Sequence, residues 1–175
     1  AESSKFNLLC LPEDNFPNFS DNFNSEGISL NRKDFLSLLN KTKISMSNDE
    51  TRHYLNGIFL HTTEANGKSY LTGVATDSHR LSSSSMPLEN GMKFKPFILP
   101  KKTIFQLCNL LEENGEKILL FSSDTKIQFK IGNSKITSKI IDGKFPDYRK
   151  VVPQNNSKVL SANVKDLINS VERVI

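Results

Sequence analysis

The stretch LNRKDF at Leu30–Phe35 recurs as LPKKTI at Leu99–Ile104, 69 residues further along the chain. Each copy joins the end of an apolar run to a residue suited to a helix start, Asn31 or Pro100. Two basic residues and the first turn of an amphipathic helix then follow. A looser third copy, LSANVKDL, occupies residues 160–167. A repeat of this length indicates duplicated supersecondary units that bury their apolar faces against each other.

The sequence around each copy predicts one helix followed by several strands. Apolar residues recur at helical spacing after Asn31, after Pro100 and from Val164 onward. Asn66-Gly67 is typical of a hairpin turn, and Asn114-Gly115 is suited to ending the second helix. Antiparallel sheet with helices packed on one face is the α+β layer solution. We predict strands at 5–11, 27–30, 53–62, 69–76, 79–85, 94–99, 117–122, 126–131, 134–141 and 158–161.

Composition excludes several classes of protein. The 175 residues carry a formal net charge of +4, which permits an anionic partner without demanding one. No run approaches the ~18 apolar residues of a membrane-spanning helix. Cys10 and Cys108 cannot form a disulfide framework, and both are predicted to be reduced core thiols. Residues 13–27 are typical of a linker, and the helix at 164–175 lacks a C-cap, so we expect an internal fragment of a longer protein.

Few residues form patterns that are typical of catalysis or metal binding. His53, His61 and His79 lack the spacing of zinc ligands, and no metal or cofactor site is predicted. Asp77-Ser78-His79 contains the residue types of a hydrolase triad, but neighbouring side chains of a strand point to opposite faces. The paired basic residues at the two helix starts oppose the helix dipole, which indicates either a nearby anion or a solvated polar face. Any DNA contact by these pairs should be to phosphates.

Three segments carry a resemblance to a known family. They are NDETRHYLNGI at residues 48–58, ATDSHRL at 75–81 and DGKFPDYR at 142–149. In order and approximate spacing they resemble the bacterial DNA polymerase III beta subunit family, the sliding clamps. Two residues depart from the family pattern: Ser78 stands where glycine is frequent, and His53 where an aromatic such as tyrosine is common.

The resemblance implies a DNA-clamp fold of the α+β class. It consists of two β-α-β-β-β repeats with antiparallel sheets outside and two helices on the inner face. Residues 1–22 would be the tail of a first clamp domain, 23–153 a middle domain and 154–175 the start of a third. In the family, two subunits of three domains close a homodimeric ring around duplex DNA. This chain would lack both ring-closing surfaces, so we expect that it does not form the native ring.

The family also implies partners and site residues. The ring binds double-stranded DNA without sequence preference, and it docks linear motifs of the polymerase catalytic subunit, the clamp loader and repair proteins. It is a non-catalytic processivity factor of DNA replication, cytoplasmic, without cofactor or membrane contact. The residues expected to face DNA are Arg32, Lys33, Lys101, Lys102, His53 and Tyr54. The residues expected to line the peptide pocket are Arg52, Leu55, Thr76, Ser78, His79, Arg80, Leu81, Pro146 and Val151.

Some alternatives stay open at the level of sequence. Leu55 and Leu81 suit core packing as well as a pocket floor. The extreme C-terminus of the family contributes to the pocket wall, so we expect weaker peptide binding by this chain than by an intact relative. An unrelated basic α+β nucleic-acid-binding domain is a second interpretation. A small hydrolase using Asp77, Ser78 and His79 is a third.

Overall fold

A computed structural model of the chain describes residues 3–16, 23, 27–89, 92, 94–113 and 117–174. The chain divides into two units, residues 1–145 and 146–175. The first unit contains two consecutive β-α-β-β-β repeats, as the recurring stretch predicts. The first repeat consists of β1 Ile28–Asn31, α1 Arg32–Thr42, β2 Gly57–Ala65, β3 Lys68–Thr76 and β4 Leu81–Pro87. The second consists of β5 Phe97–Pro100, α2 Lys101–Glu113, β6 Lys117–Ser122, β7 Lys126–Ile131 and β8 Ser134–Lys139.

The two repeats exchange their first strands. The sheets have the orders β1-β6-β7-β8 and β4-β3-β2-β5, and every pairing is antiparallel. Leu30 of β1 lies opposite Ile118, and Leu99 of β5 lies opposite Ile58. Corresponding residues of the repeats therefore have corresponding partners. Each four-stranded sheet is complete only when the other repeat supplies its edge strand.

The helices α1 and α2 contact each other and pack against the strands. The Asn31 side chain accepts a hydrogen bond from Asp34 N and caps α1, as its residue type predicts. Phe35 is fully buried, and its ring stacks on Phe129 of β7 with centroids 5.8 Å apart. Ile104, Leu107 and Leu111 bury the equivalent face of α2. One apolar core therefore joins both helices to both sheets.

The second unit contains a short 3₁₀ turn, Tyr148–Lys150, and α3, Val164–Glu172. The Asn163 side chain caps α3 by accepting from Lys165 N at 2.9 Å. The apolar stripe of α3 is exposed, with Val164 at 70% and Leu167 at 54% of their full accessibility. The predicted third helix is therefore present, and the proposed boundaries at 22/23 and 153/154 stay predictions.

Several predictions about local structure are wrong. Residues 5–11 and 158–161 contain no strand, because an extended segment needs a neighbouring strand to become part of a sheet. The large apolar side chains of both segments are exposed. Cys10 lies in the first of these segments and is exposed, whereas Cys108 is buried as expected.

Several predicted boundaries also differ from the structure, and two of these differences have a clear physical cause. The strand predicted from residue 53 begins at Gly57, because Glu50–Leu55 forms a 3₁₀ helix capped by the Asp49 side chain. Pro100 ends β5, so α2 begins one residue later than predicted. The hairpin turn at Asn66-Gly67 is confirmed. The predicted cap at Asn114-Gly115 and much of the predicted linker at 13–27 lie outside the described residues.

Replacing Gly57 by alanine should destabilise the first unit by roughly 1–3 kcal/mol. Its Cβ would lie 2.1 Å from the Leu99 carbonyl oxygen, against the exchanged strand β5. Lys117 is the matched control, because it holds the corresponding position opposite Asn31 in the other sheet and is exposed. Urea denaturation should show Lys117→Ala within about 0.5 kcal/mol of wild type. Equal losses for the two variants would contradict this account of the exchange.

Candidate peptide pocket and basic helix starts

The loop between β3 and β4 brings together five of the predicted pocket residues. Asp77 Oδ1 accepts from the backbone N–H groups of His79 and Arg80, each at 3.0 Å. Thr76 Oγ1 donates to Arg80 O at 2.8 Å and accepts from Ser78 N at 3.2 Å. Leu81 begins β4 directly opposite Thr76. These hydrogen bonds hold the loop in one conformation.

The Asp77 carboxylate also pairs with Arg80, whose Nε lies 3.0 Å from Oδ2. The backbone hydrogen bonds from Arg80 and His79 lower the pKa of Asp77 to about 2, from an ordinary 3.8. Asp77 is therefore ionised at neutral pH and serves as the anchor of the loop. Asp77 belongs to the ATDSHRL motif but not to the predicted pocket lining. Its position at the start of a short turn is the sequence signal for an anchoring role.

Arg52 joins the 3₁₀ helix at Glu50–Leu55 to this loop. Its Nε donates to Asp49 Oδ2 at 2.8 Å, and its Nη1 donates to Ser78 Oγ at 2.6 Å. Hydrogen bonds from Thr51 and from Arg52 lower the pKa of Asp49 to about 2. Two segments that are separated by more than 20 residues in the sequence are therefore linked through one guanidinium group.

The apolar part of the predicted pocket is uneven in exposure. Leu55 retains 2% of its accessibility and packs as a core residue. Leu81 is half-buried, while His79 and Arg80 are exposed. Pro146 and Val151 belong to the second unit and are exposed there. Within the first unit, the open surface next to the loop is therefore bordered by Leu81, His79 and the two arginines.

The third motif is anchored to the sheet by an aromatic stack. Phe145 lies parallel to Phe59 of β2, with centroids 4.9 Å apart and planes at 5°, and only 7% of it is exposed. Phe59 in turn stacks on His61 at 4.9 Å. His53 Nε2 donates to Asp142 O at 3.1 Å, which fixes the other end of this segment. His53 and Tyr54, both predicted to face DNA, thus lie beside the motif, and their rings meet edge to face.

The basic residues that begin the two helices divide into two kinds. Arg32 is half-buried and donates from Nη1 to the carbonyl oxygen of Leu111, in the last turn of α2. Lys101 is also half-buried, and its Nζ donates to Asn48 Oδ1, in the segment that follows α1. Lys33 and Lys102 are exposed. The charge of Arg32 opposes the dipole of its own helix but complements the negative end of α2.

The hydrolase interpretation is wrong. Ser78 Oγ accepts a hydrogen bond from Arg52, and the Asp77 carboxylate is occupied by the loop backbone and Arg80. A nucleophilic serine needs a neighbouring base to take its proton.

Within the described ranges, no group of three or more His, Cys, Asp or Glu side chains could hold a metal ion. Across the same part of the chain, no helix has the length and apolarity to cross a membrane.

Two interlocked β-α-β-β-β repeats with paired helices define the DNA-clamp class of α+β fold. The family model described as "DNA polymerase III beta subunit, central domain" matches residues 29–147. The beta sliding clamp of Caulobacter vibrioides is 40% identical over 175 residues, which is 99% of this chain and 47% of that protein. That of Vibrio cholerae is 34% identical over 170 residues, 97% of this chain and 45% of its own length.

Comparison with solved structures points to the same family. A Caulobacter crescentus beta sliding clamp superposes with a TM-score of 0.92 at 39% identity, covering 98% of this chain and 46% of that one. The Bacillus subtilis DNA polymerase sliding clamp gives 0.86 at 26% identity, covering 98% and 44%. The chain belongs to the DNA polymerase III beta subunit family, the sliding clamps, which are non-catalytic processivity factors of DNA replication. It spans about half the length of the curated relatives that it matches.

Arg32 and Lys33 should differ in their contribution to stability. Arg32→Ala removes a charged hydrogen bond to the end of α2 and should cost about 1.5–3 kcal/mol. Lys33→Ala removes an exposed charge and should stay within about 0.5 kcal/mol of wild type. Chemical denaturation of the 175-residue chain measures both. An Arg32→Ala variant as stable as Lys33→Ala would show that the contact to Leu111 does not stabilise the helix pair.

Acid should weaken the β3–β4 loop in a defined window. The pKa of Asp77 is lower in the folded chain than in the unfolded one, so its contribution is present above about pH 4 and is lost as the pH falls towards 2. Asp77→Asn keeps an oxygen acceptor but carries no charge. Its melting temperature should therefore lie below wild type at pH 7 and approach wild type near pH 2. A difference that stays constant from pH 7 to pH 2 would rule out the carboxylate as its source.

Proposed function

We propose that this chain is the central part of a ring that encircles duplex DNA and keeps the replicative polymerase attached to its template. Family membership favours this function over that of an unrelated nucleic-acid-binding domain. The observation that carries the proposal is the interlocked pair of repeats, which presents α1 and α2 side by side with Lys33 and Lys102 exposed at their starts. A clamp of this kind would act on the chromosome in the bacterial cytoplasm.

The proposed contact with DNA is weak and electrostatic. Exposed lysines at the helix starts can approach phosphates, and such contacts carry no sequence information. The net charge of the chain is only +4, which suits a surface that slides along DNA more than one that grips it. Because a closed ring is retained by topology, each contact can be individually weak. Arg32 would support this surface through its bond to Leu111 of α2, and Lys101 through its bond to Asn48. His53 and Tyr54 would flank the surface.

The ring itself is a proposal for the complete protein. By analogy with the family, two subunits would each contribute three domains of this fold. The domain boundaries at 22/23 and 153/154 follow from the same analogy. The exposed apolar stripe of α3 fits this arrangement, because it offers a surface that further chain could cover.

The second part of the proposed function is docking of short peptide motifs. The candidate partners are the polymerase catalytic subunit, the clamp loader and repair proteins. Within the first unit, Leu81 would contact an apolar peptide side chain, while Arg52, Thr76, His79 and Arg80 would orient the peptide backbone. Pro146 and Val151, in the second unit, stay predictions that rest on the family resemblance alone. The ordered loop at residues 77–80 supports this part, because a pre-formed rim reduces the entropy that binding costs.

Retention on DNA should depend on topology. The complete gene product, loaded by its clamp loader onto nicked circular DNA, should stay bound through gel filtration at raised salt. Cutting the circle with a restriction enzyme should release it, because a ring slides off a free end. Lys33→Ala/Lys102→Ala should preserve this difference while lowering direct DNA affinity at low salt. Equal retention on circular and linear DNA would contradict the proposal.

A further inference from the structure

Ser78 is held in a conformation that is unfavourable for its residue type. Its φ is +79°, in the left-handed region where glycine is favoured. Strained non-glycine residues cluster at functional sites, where the side chain commonly has a role.

The Ser78 hydroxyl holds one side of the Arg52 guanidinium group. Ser78 Oγ accepts from Arg52 Nη1 at 2.6 Å, while Asp49 Oδ2 accepts from Nε at 2.8 Å. Thr51 N and Thr51 Oγ1 both donate to Asp49 Oδ1, at 2.9 and 2.6 Å, and fix the carboxylate in turn. The planar guanidinium is thus fixed by contacts from two separate segments. The Arg52 side chain keeps 39% of its accessibility, so it can still reach a ligand.

The charge of Arg52 is largely balanced by Asp49. The hydrogen bonds from Thr51 and Arg52 keep the pKa of Asp49 at about 2, so its carboxylate is negatively charged at pH 7 and offsets the charge of the guanidinium beside it. A paired guanidinium attracts a distant carboxylate only weakly, but its N–H groups remain directional donors. Among the neutral acceptors of a peptide, only the backbone carbonyl oxygen is present at every residue.

We propose that Ser78 is a positioning residue of the peptide pocket, which holds Arg52 so that its guanidinium donates to a backbone carbonyl of the bound peptide. This inference rests on the proposed docking function. A pre-oriented donor loses less side-chain entropy when the peptide binds. Recognition of a main-chain carbonyl also tolerates different side chains, as partners with different motif sequences require.

The test is a double-mutant cycle on the complete gene product. The probe is a fluorescein-labelled peptide that carries the linear motif of the polymerase catalytic subunit, and fluorescence anisotropy gives its Kd. Ser78→Ala should weaken binding about 3- to 10-fold, and Arg52→Ala should weaken it at least as much. Adding Ser78→Ala to Arg52→Ala should cause no further loss. Ser134→Ala, in β8 of the other sheet, is the control and should bind as wild type.

Ser78→Gly separates positioning from backbone stability. It removes the hydroxyl but accepts the positive φ without strain, so its melting temperature should rise above wild type while its peptide affinity falls as in Ser78→Ala. A purely structural serine would not give opposite changes in the two measurements. A second peptide, with its acidic side chains replaced by amides, should show the same loss on Ser78→Ala.

Each contrary result has a definite meaning. Wild-type affinity in Ser78→Ala would overturn the inference and leave the docking function standing. So would an equal loss with and without Arg52, because Ser78 would then act without that side chain. If Ser78→Ala weakens binding of the first peptide but not of the version with amides, Arg52 recognises a carboxylate. That result also overturns the inference. A wild-type protein that does not bind the peptide would overturn the docking function together with the inference.

Discussion

The exchange of first strands between the two repeats is the constraint on which the rest of the first unit depends. β1 completes the sheet of β6, and β5 completes the sheet of β2, with corresponding residues in corresponding register. Because α1 and α2 follow directly from these strands, the exchange also places the two helices side by side. The shared core around Phe35 and Phe129, the contact of Arg32 with the end of α2, and the exposure of Lys33 and Lys102 all follow from that placement.

The candidate pocket depends on local anchors more than on the core. Asp77 fixes the β3–β4 loop, Asp49 fixes Arg52, and Phe145 fixes the third motif on Phe59. The first anchor lies in the turn between two strands, the second at the start of the 3₁₀ helix Glu50–Leu55, and the third against β2. The conformation of the pocket surface therefore depends on a few side chains at its edge more than on the buried core. In this chain, the serine in a left-handed conformation accepts a hydrogen bond from Arg52.

The sequence predicts the repeat well because its signals are local: a cap, two basic residues and an amphipathic face recur at Asn31 and Pro100. The exchange itself is not predictable from these signals, since it is a pairing between distant segments. The strand predicted at 5–11 is wrong because an apolar run does not reveal whether a neighbouring strand exists. The site residues came from family motifs; the bond between Arg52 and Ser78 needed the fold to bring residues 52 and 78 together. The bond from Arg32 to Leu111 was likewise beyond the reach of sequence patterns, because the two residues lie 79 positions apart in the chain.

Because of the exchanged strands, the two repeats would stay associated even without the covalent connection between them. A single cut between β4 and β5 would leave each half holding an edge strand in the other half's sheet, with the common core intact. The two pieces could come apart only by breaking both strand pairings and opening that core together. Separation of the halves is therefore a cooperative event governed by the interlock, and the chain between them contributes mainly by keeping the two pieces at high local concentration.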